Sequence, residues 1–415
     1  MMEWIKNGDA TGGVPLQSWC EPIEPGALQQ AINLTRHPAV FHHVALMPDC
    51  HVGYGMPIGG VIACADAVIP NAVGVDIGCG MAAVQTDLPV TAAADSDLIR
   101  NLLRAVKQRV PVGEGHSHRH EQDWSGFQNF AERFGVTEKE LASGRLPWLD
   151  LRSWTLDRAN LGSLGGGNHF MELQAGDDGR LWLMLHSGSR NLGARIAAWF
   201  HRRAIELDAD MAVALPSRDL AFLPAAAELG RQYIQAMTYA LEYARENRRR
   251  MMAVFKEEFT RIFPAAVFTA EVNIHHNYAA LEEHFGREVW VHRKGATSAR
   301  AGESGIIPGS MGTASYLVRG KGNPESFQSC SHGAGRRLGR RAACENLSVQ
   351  QCDRAMEGVV FERWHHYRGH GDRHSHLLDL SEAPPAYKDI DRVIRAELDL
   401  IVPAVKLRPL GVIKG

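Results

Sequence analysis

Leu181-Trp-Leu-Met-Leu-His186-Ser-Gly-Ser-Arg190 is the stretch on which the reading of this chain turns. Five apolar residues run unbroken into a histidine and a glycine-bearing turn follows, the pattern of a short buried strand that delivers its last side chain to a site. Val44-Ala-Leu-Met-Pro48, Gly60-Val-Ile-Ala-Cys64 and Val289-Trp-Val-His292 are runs of the same kind. Between 225 and 263 the period changes. Leu229, Tyr233, Met237 and Leu241, then Met251, Phe255 and Phe259, form an apolar stripe at helical spacing, with Pro224 suiting its start and Pro264 its end. Ser96 to Arg109 and Tyr387 to Ile401 also read as helices. The sequence therefore predicts an α+β body with a helical excursion over 225–263. With no internal repeat or low-complexity linker, it predicts one domain over 1–415.

At 415 residues and 45% hydrophobic content the chain can bury a large core, which excludes a disordered protein. A formal net charge of −2 argues against non-specific coating of nucleic acid, so any nucleic-acid binding would depend on a local basic patch. Two clusters are candidates. Arg245, Arg248, Arg249 and Arg250 read as a solvated helix face, whereas Arg336, Arg337, Arg340 and Arg341, beside His332, read as phosphate contacts. Seven cysteines without a Cys-x-x-Cys pair read as reduced, mostly buried thiols of a cytoplasmic protein. The N-terminus shows no leader pattern, and no apolar run reaches the eighteen or so residues of a membrane span, so a soluble protein is expected.

Chemistry concentrates in glycine-rich motifs. Asp76 and Cys79 share Val73-Gly-Val-Asp76-Ile-Gly-Cys79-Gly-Met81, His169 follows Gly-Gly-Gly-Asn168, and His276 stands in Asn273-Ile-His275-His276-Asn277. With His186 they supply a carboxylate, a thiolate and three imidazoles, a set that can hold two divalent ions with the thiolate bridging both. Adjacent strand residues face opposite ways, so only one of His275 and His276 can easily point at the metals. Ligand softness alone suits zinc. His332, in Ser-Cys-Ser-His332-Gly-Ala-Gly-Arg336, has small neighbours that leave its ring unobstructed and let backbone N–H groups approach phosphate. A neutral imidazole, of pKa about 6.5, can attack the α-phosphate of a nucleotide and split group transfer into two easier steps. The sequence lacks a Walker-type phosphate loop, a dinucleotide fingerprint and a Lys-x-Asp-Gly motif, so histidine is the covalent candidate. Arg190 and Lys294 sit inside motifs and read as phosphate ligands. The groups His116/His118/His120 and His365/His366/His370/His374/His376 lie in loop-like surroundings and read as no metal site.

These segments, in this order with Met47-Pro-Asp49-Cys-His51-Val-Gly-Tyr-Gly55, His292-Arg-Lys294-Gly-Ala-Thr297, Pro308-Gly-Ser310-Met-Gly-Thr-Ala-Ser315-Tyr316 and Tyr387-Lys-Asp-Ile-Asp391, resemble the RtcB family of RNA ligases. The resemblance runs from about residue 40 to Gly411-Val-Ile-Lys414-Gly415. It implies a distinctive α+β fold with a central cleft, and two Mn²⁺ ions in place of zinc. One ion falls to Asp76, Cys79 and His169, the other to Cys79, His186 and His276. By the same resemblance GTP lies among Asn168, His169, Phe170, Met171 and Glu172; His276 and Asn277; Pro308, Gly309, Ser310, Met311 and Ser315; His332, Gly333, Ala334 and Gly335; and Tyr387 and Lys414. Glu172 suits guanine, whose N1–H and 2-amino group are both donors. His51 could support the metal ligands from behind.

The implied activity joins RNA 2',3'-cyclic phosphate or 3'-phosphate ends to 5'-hydroxyl ends, through GMP on His332 and then on the RNA 3'-phosphate. Arg190, Lys294 and Arg336 would touch RNA phosphates, and archease assists many members of the family. Competing readings are 3'-end guanylylation or cyclic-phosphate opening without sealing, and a non-catalytic RNA-binding or metal-storage protein. Two details depart from the family: Gly339 where many relatives have serine, and Cys50 where an apolar residue is usual.

Overall fold

The computed structural model describes residues 3–5, 12–366 and 377–415; the rest of the N-terminal stretch, and His370, His374 and His376, lie outside them. Two sheets carry the architecture. The first runs Glu3–Ile5, Leu16–Ser18, Val40–His51, Ile58–Cys64, Arg287–Lys294, Asn277–His284; the second runs Phe268–His275, Gly80–Pro89, Arg180–Ser187, Phe170–Gly176, Ile401–Lys414, Ser315–Gly320, Ser304–Ile307. Every pair is antiparallel except Leu16–Ser18 on Val40–His51. The second sheet's two edge strands approach each other without pairing, so it curls towards a barrel.

Arg180–Ser187 explains the unbroken apolar run. Leu181, Leu183 and Leu185 pack into one cluster with Met251, Phe255 and Phe259, while Met184 and Trp182 enter another on the opposite face. A strand covered on both sides has no polar face, so the period-two signal vanishes. Register then gathers the motifs: Met81 and Phe170 both lie opposite His186, Gly80 opposite His275, and Lys414 opposite Phe170. One end of the second sheet therefore carries all of these groups.

The helical excursion is a 35-residue helix, Glu228–Ile262. Its stripe is core as read, with Tyr233, Met237, Met251, Phe255 and Phe259 buried, each contributing about 1.5–3 kcal/mol by removal from water. The start differs. Pro224 belongs to the short strand Leu223–Pro224, paired with Ala67–Val68, and the helix begins four residues on. Ser96–Arg109 is helical as expected, capped by the Asp95 carboxylate, which accepts from Asp97 N at 2.8 Å.

The expected helix over Tyr387 to Ile401 is shorter. Only Ile390–Ala396 is helical, opened by Asp389, whose side chain accepts from Asp391 N and Arg392 N. Ile401 then starts a 14-residue strand, since Ile401, Val402 and Val405 are β-branched and pair with Ser315–Gly320. Gly339 occupies the N-cap of the helix Arg340–Asn346, where a Cβ would meet nothing, so serine would fit. Among the described residues no helix is long and apolar enough to cross a membrane.

Candidate active site

Asp76 and Cys79 come from the turn ahead of Gly80–Pro89, tied by Cys79 N donating to Asp76 O at 3.1 Å. Their ligand atoms form two groups, Asp76/Cys79/His169 and Cys79/His186/His276, within each of which all lie no more than 4.8 Å apart. Cys79 Sγ is common to both, 3.6 Å from His169 Nε2 and 3.2 Å from His186 Nε2. His186 Nε2 lies 3.3 Å from His276 Nε2, and His169 Nε2 lies 3.4 Å from Asp76 Oδ2.

The donor set fits cations, and hydrogen bonding says why. His169 Nδ1 is 2.8 Å from Leu164 O and His186 Nδ1 is 3.2 Å from Asn168 O. A carbonyl only accepts, so both Nδ1 atoms carry the proton and both Nε2 lone pairs are bare. The Cys79 thiol has one proton and can meet only one of these lone pairs, so the set stays short of positive charge unless a cation lies among them. Asp76 Oδ1, also buried, has no hydrogen-bond partner. Burial pushes His186 and His276 far below the usual histidine range, keeping both neutral. Burial, with Asp76 beside it, pushes the Cys79 thiol up, a shift that a coordinated cation reverses.

His276 enters the set and His275 does not, as alternation requires. The His275 ring meets Arg248, whose Nη2 lies 3.1 Å from its Nδ1. Arg248 corrects the expectation of a solvated helix face. Its side chain is 0% exposed, and Nη1 donates to Gly78 O and Ser187 O at 2.8 and 2.9 Å while Nε donates to Asn273 Oδ1. Burial lowers this guanidinium to about 10, so it stays charged at neutral pH, beneath the turn that bears Cys79. The signal was available: Arg248 stands seven residues from both Leu241 and Phe255, in phase with the apolar stripe. Arg245, Arg249 and Arg250 are the solvated members, the last two paired with Glu246.

His332 follows the strand Ser329–Ser331, which pairs with Ala296–Ser298. Its Nδ1–H donates to Asp49 Oδ2 at 2.6 Å, and the same oxygen accepts the backbone N–H groups of His332 and Gly333. The proton is thereby held at Nδ1, and Nε2 is free to attack. The ring centroid is 4.8 Å from that of His276. Gly295, at φ +60°, lets the chain pass this close: a Cβ there would lie 3.0 Å from His332 Cε1 and 2.4 Å from Ile58 Cγ2. Asp49 was quoted in a motif but given no role by the sequence reading; the alternation of a strand that buries both faces hid it.

A cleft of about 380 Å³ opens beside His332. Among the expected nucleotide residues, Asn168, Phe170, Pro308 to Met311, His332 to Gly335, Tyr387 and Lys414 line it. Others stand behind. Asn277 accepts from Gly295 N and donates to Asp76 O, Ser315 Oγ accepts from Gly309 N, and Met171 points into the opposite core. Glu172 is buried, accepts from Gln174 Nε2, and is raised by burial to about 8. Glu382, which the sequence reading missed, gathers the Tyr387 hydroxyl, Arg336, Arg340 and, at 3.4 Å, Lys414. Burial would raise this carboxyl, but the surrounding cations hold it at about 2.

Of the cations expected at phosphates, Arg190 and Arg336 reach the site and Lys294 does not. Arg190 packs on Gly165 beside His169, where a Cβ would collide with its Nη1, and its Nε donates to Ser163 Oγ. Arg336 and Arg337 line the cleft. Lys294 is instead buried, its ammonium donating to Tyr54 O and to Asn71 O at 3.0 Å. It staples the loop at Tyr54 to the short helix Pro70–Val73. His51 likewise departs from the expected support of the metal ligands, since its Nδ1 meets Asp49 O at 3.0 Å and its ring lines the cleft. Cys50 is buried, and the histidines His116, His118 and His120 join no candidate metal group among the described residues.

Comparison with known proteins identifies the family. A family model described as tRNA-splicing ligase RtcB matches residues 30–415. The chain is 40% identical over 417 residues to the RNA-splicing ligase RtcB of Escherichia coli K12, covering 98% of each chain. It is 33% identical over 447 residues to the tRNA-splicing ligase RtcB of Thermococcus kodakarensis, covering 94% of this chain and 91% of that one. The RNA-splicing ligase RtcB of Mycobacterium tuberculosis is 33% identical over 452 residues, with 93% of this chain and 100% of that one covered. A match along nearly the whole chain, at these identities, leads to one conclusion: the chain belongs to the tRNA-splicing ligase RtcB family.

Proposed function

We propose that this chain is a cytoplasmic RNA ligase, one catalytic domain that joins RNA 2',3'-cyclic phosphate or 3'-phosphate ends to 5'-hydroxyl ends, using GTP and Mn²⁺. The observation that carries the reading is the His332 imidazole, held with its proton on Nδ1 by Asp49 and its Nε2 free, one ring away from a metal-ligating set. His332 Nε2 attacks the α-phosphorus of GTP, a P–N bond forms, and pyrophosphate leaves. A 2',3'-cyclic phosphate is first hydrolysed by water to the 3'-phosphate and 2'-hydroxyl; the GMP then passes to the RNA 3'-phosphate, and the 5'-hydroxyl displaces it.

Asp76, Cys79 and His169 would hold one ion, and Cys79, His186 and His276 the other. Bound there, divalent ions supply charge neutralisation at phosphate oxygens. Lys414, which lines the cleft, would donate to guanine O6, and Glu172, ionised once guanine binds against it, would accept from the N1–H and the 2-amino group. Arg190 and Arg336 would hold RNA phosphates. Archease, as helper, rests on the family resemblance alone.

The test is sealing of a broken RNA stem-loop bearing 3'-phosphate and 5'-hydroxyl ends. The reading expects joined product with GTP and Mn²⁺, none with ATP or after chelation, and none from His332→Ala. Joining by His332→Ala would contradict it, and so would accumulation of 3'-capped RNA that wild type never seals.

A further inference from the structure

His51 ends the strand Val40–His51, two residues beyond Asp49. Its partly exposed ring lines the same cleft as His332. Asp49 governs both rings. Its carboxylate takes the Nδ1–H of His332 at 2.6 Å, and its main-chain carbonyl lies 3.0 Å from His51 Nδ1. A carbonyl cannot donate, so the His51 ring proton also sits on Nδ1. Two imidazoles with bare Nε2 atoms therefore share one cleft, although one nucleophile is enough. No hydrogen bond among the described residues uses His51 Nε2.

An acceptor-only nitrogen is a poor partner for a phosphate oxygen, which is itself an acceptor. What it can take from a broken RNA is a hydroxyl hydrogen. The groups around it allow this: Asp49 and His332 face it, Lys388 reaches the Cys50 carbonyl from the segment after Tyr387, and Glu24 accepts from Val52 N. Burial, and the charge His332 can carry, lower the His51 pKa and favour the neutral, proton-accepting ring.

We propose that His51 Nε2 is the proton acceptor for the RNA 5'-hydroxyl in the sealing step. The hydroxyl oxygen forms the new O–P bond, the bond from that phosphorus to GMP breaks, GMP departs with the bridging oxygen, and the hydroxyl proton moves to His51 Nε2. The resulting imidazolium returns the proton to solvent. This inference rests on the function proposed above. The second hydroxyl that could meet the same nitrogen is the ribose 2'-hydroxyl of the 3' end.

The test is single-turnover sealing of RNA already carrying the 3'-phosphate–GMP cap, by wild type, His51→Ala and His51→Gln. Glutamine can accept a hydrogen bond but cannot take a proton, and it keeps the proposal testable if alanine disturbs folding. Sealing should fall by about 100-fold or more in both, while the mass gain of one GMP on His332 persists. Lost dependence of the sealing rate on an ionisation in the variants would support proton acceptance. Unchanged sealing would overturn the inference, as would loss of His332 guanylylation. A defect that disappears with a 2'-deoxy 3' end would overturn it too, because the hydroxyl is then the 2' one. If wild type forms no GMP adduct, the proposed function itself fails, a result distinguishable from all of these.

Discussion

Asp49 organises the cleft by two chemically different acceptors. Its carboxylate fixes the His332 tautomer and two backbone N–H groups; its carbonyl fixes His51. Asp49→Asn keeps the size but exchanges an anion for a neutral amide, so the imidazole is less firmly held and less basic. Guanylylation of His332 should slow by about 10- to 100-fold, read as the rate of mass gain with GTP; an unchanged rate would contradict this role. Glu172 gives a pH signature. Its carboxyl is raised from 4.5 to about 8, so the folded chain holds a proton that the unfolded chain releases. The stabilisation is complete below about pH 4.5 and is lost as pH rises through about 8. Glu172→Gln cannot ionise, so its stability relative to wild type should rise across that window by up to a few kcal/mol, measured by urea melts at pH 5 and 8.5. A constant difference would show that Glu172 titrates normally. The same variant should lose GTP selectivity, because its amide offers one acceptor oxygen where the Glu172 carboxylate, ionised when guanine binds, offers two.

At the scale of elements, the long helix does more than fill the core. Arg248 and Asn247 project from it into the loops that present Cys79, His169 and His186, Asn247 accepting from Gly162 N and Ser163 N and donating to Gly188 O. Arg248→Met would strip donors from Ser187 O and Asn273 Oδ1, while Gly78 O keeps His275 Nδ1 at 3.0 Å, and each buried acceptor left unpaired costs about 1–3 kcal/mol. A loss of roughly 2–5 kcal/mol in urea unfolding is expected, together with weaker metal binding. A Met variant as stable as wild type would mean that water replaces the guanidinium. Helices were legible where propensity, capping and stripe agreed, as at Ser96–Arg109. They were misread where the segment pairs with a distant strand: nothing within 387–401 announces that Ile401 will add to Ser315–Gly320. The solvated reading of Arg248 failed because charge outweighed phase.

For the whole molecule, the candidate site is held together by distant parts of the chain. Its candidate ligands run from Asp76 to His276, His332 arrives from beyond, and Asp49 from before. Motif order and resemblance singled out Asp76, Cys79, His169, His186 and His276, the residues whose ligand atoms the fold brings together. They could not show Glu382, whose role appears only once Arg336, Arg340, Tyr387 and Lys414 are folded around it, nor that Lys294 spends its N–H donors on the carbonyls of Tyr54 and Asn71. Ions bound among segments so far apart should stabilise the folded state by about 2.7 kcal/mol at a hundredfold excess over Kd. Chelation should therefore lower Tm by several degrees, and Cys79→Ala should remove most of the response to added Mn²⁺. Equal Tm values with and without metal would argue against the site.

The most direct test is intact-protein mass after incubation with GTP and Mn²⁺, beside ATP, metal-free protein and His332→Ala. The account predicts a gain of one GMP only with GTP and metal, absent in the variant. An adduct that survives in His332→Ala, or no adduct under any metal, would contradict it.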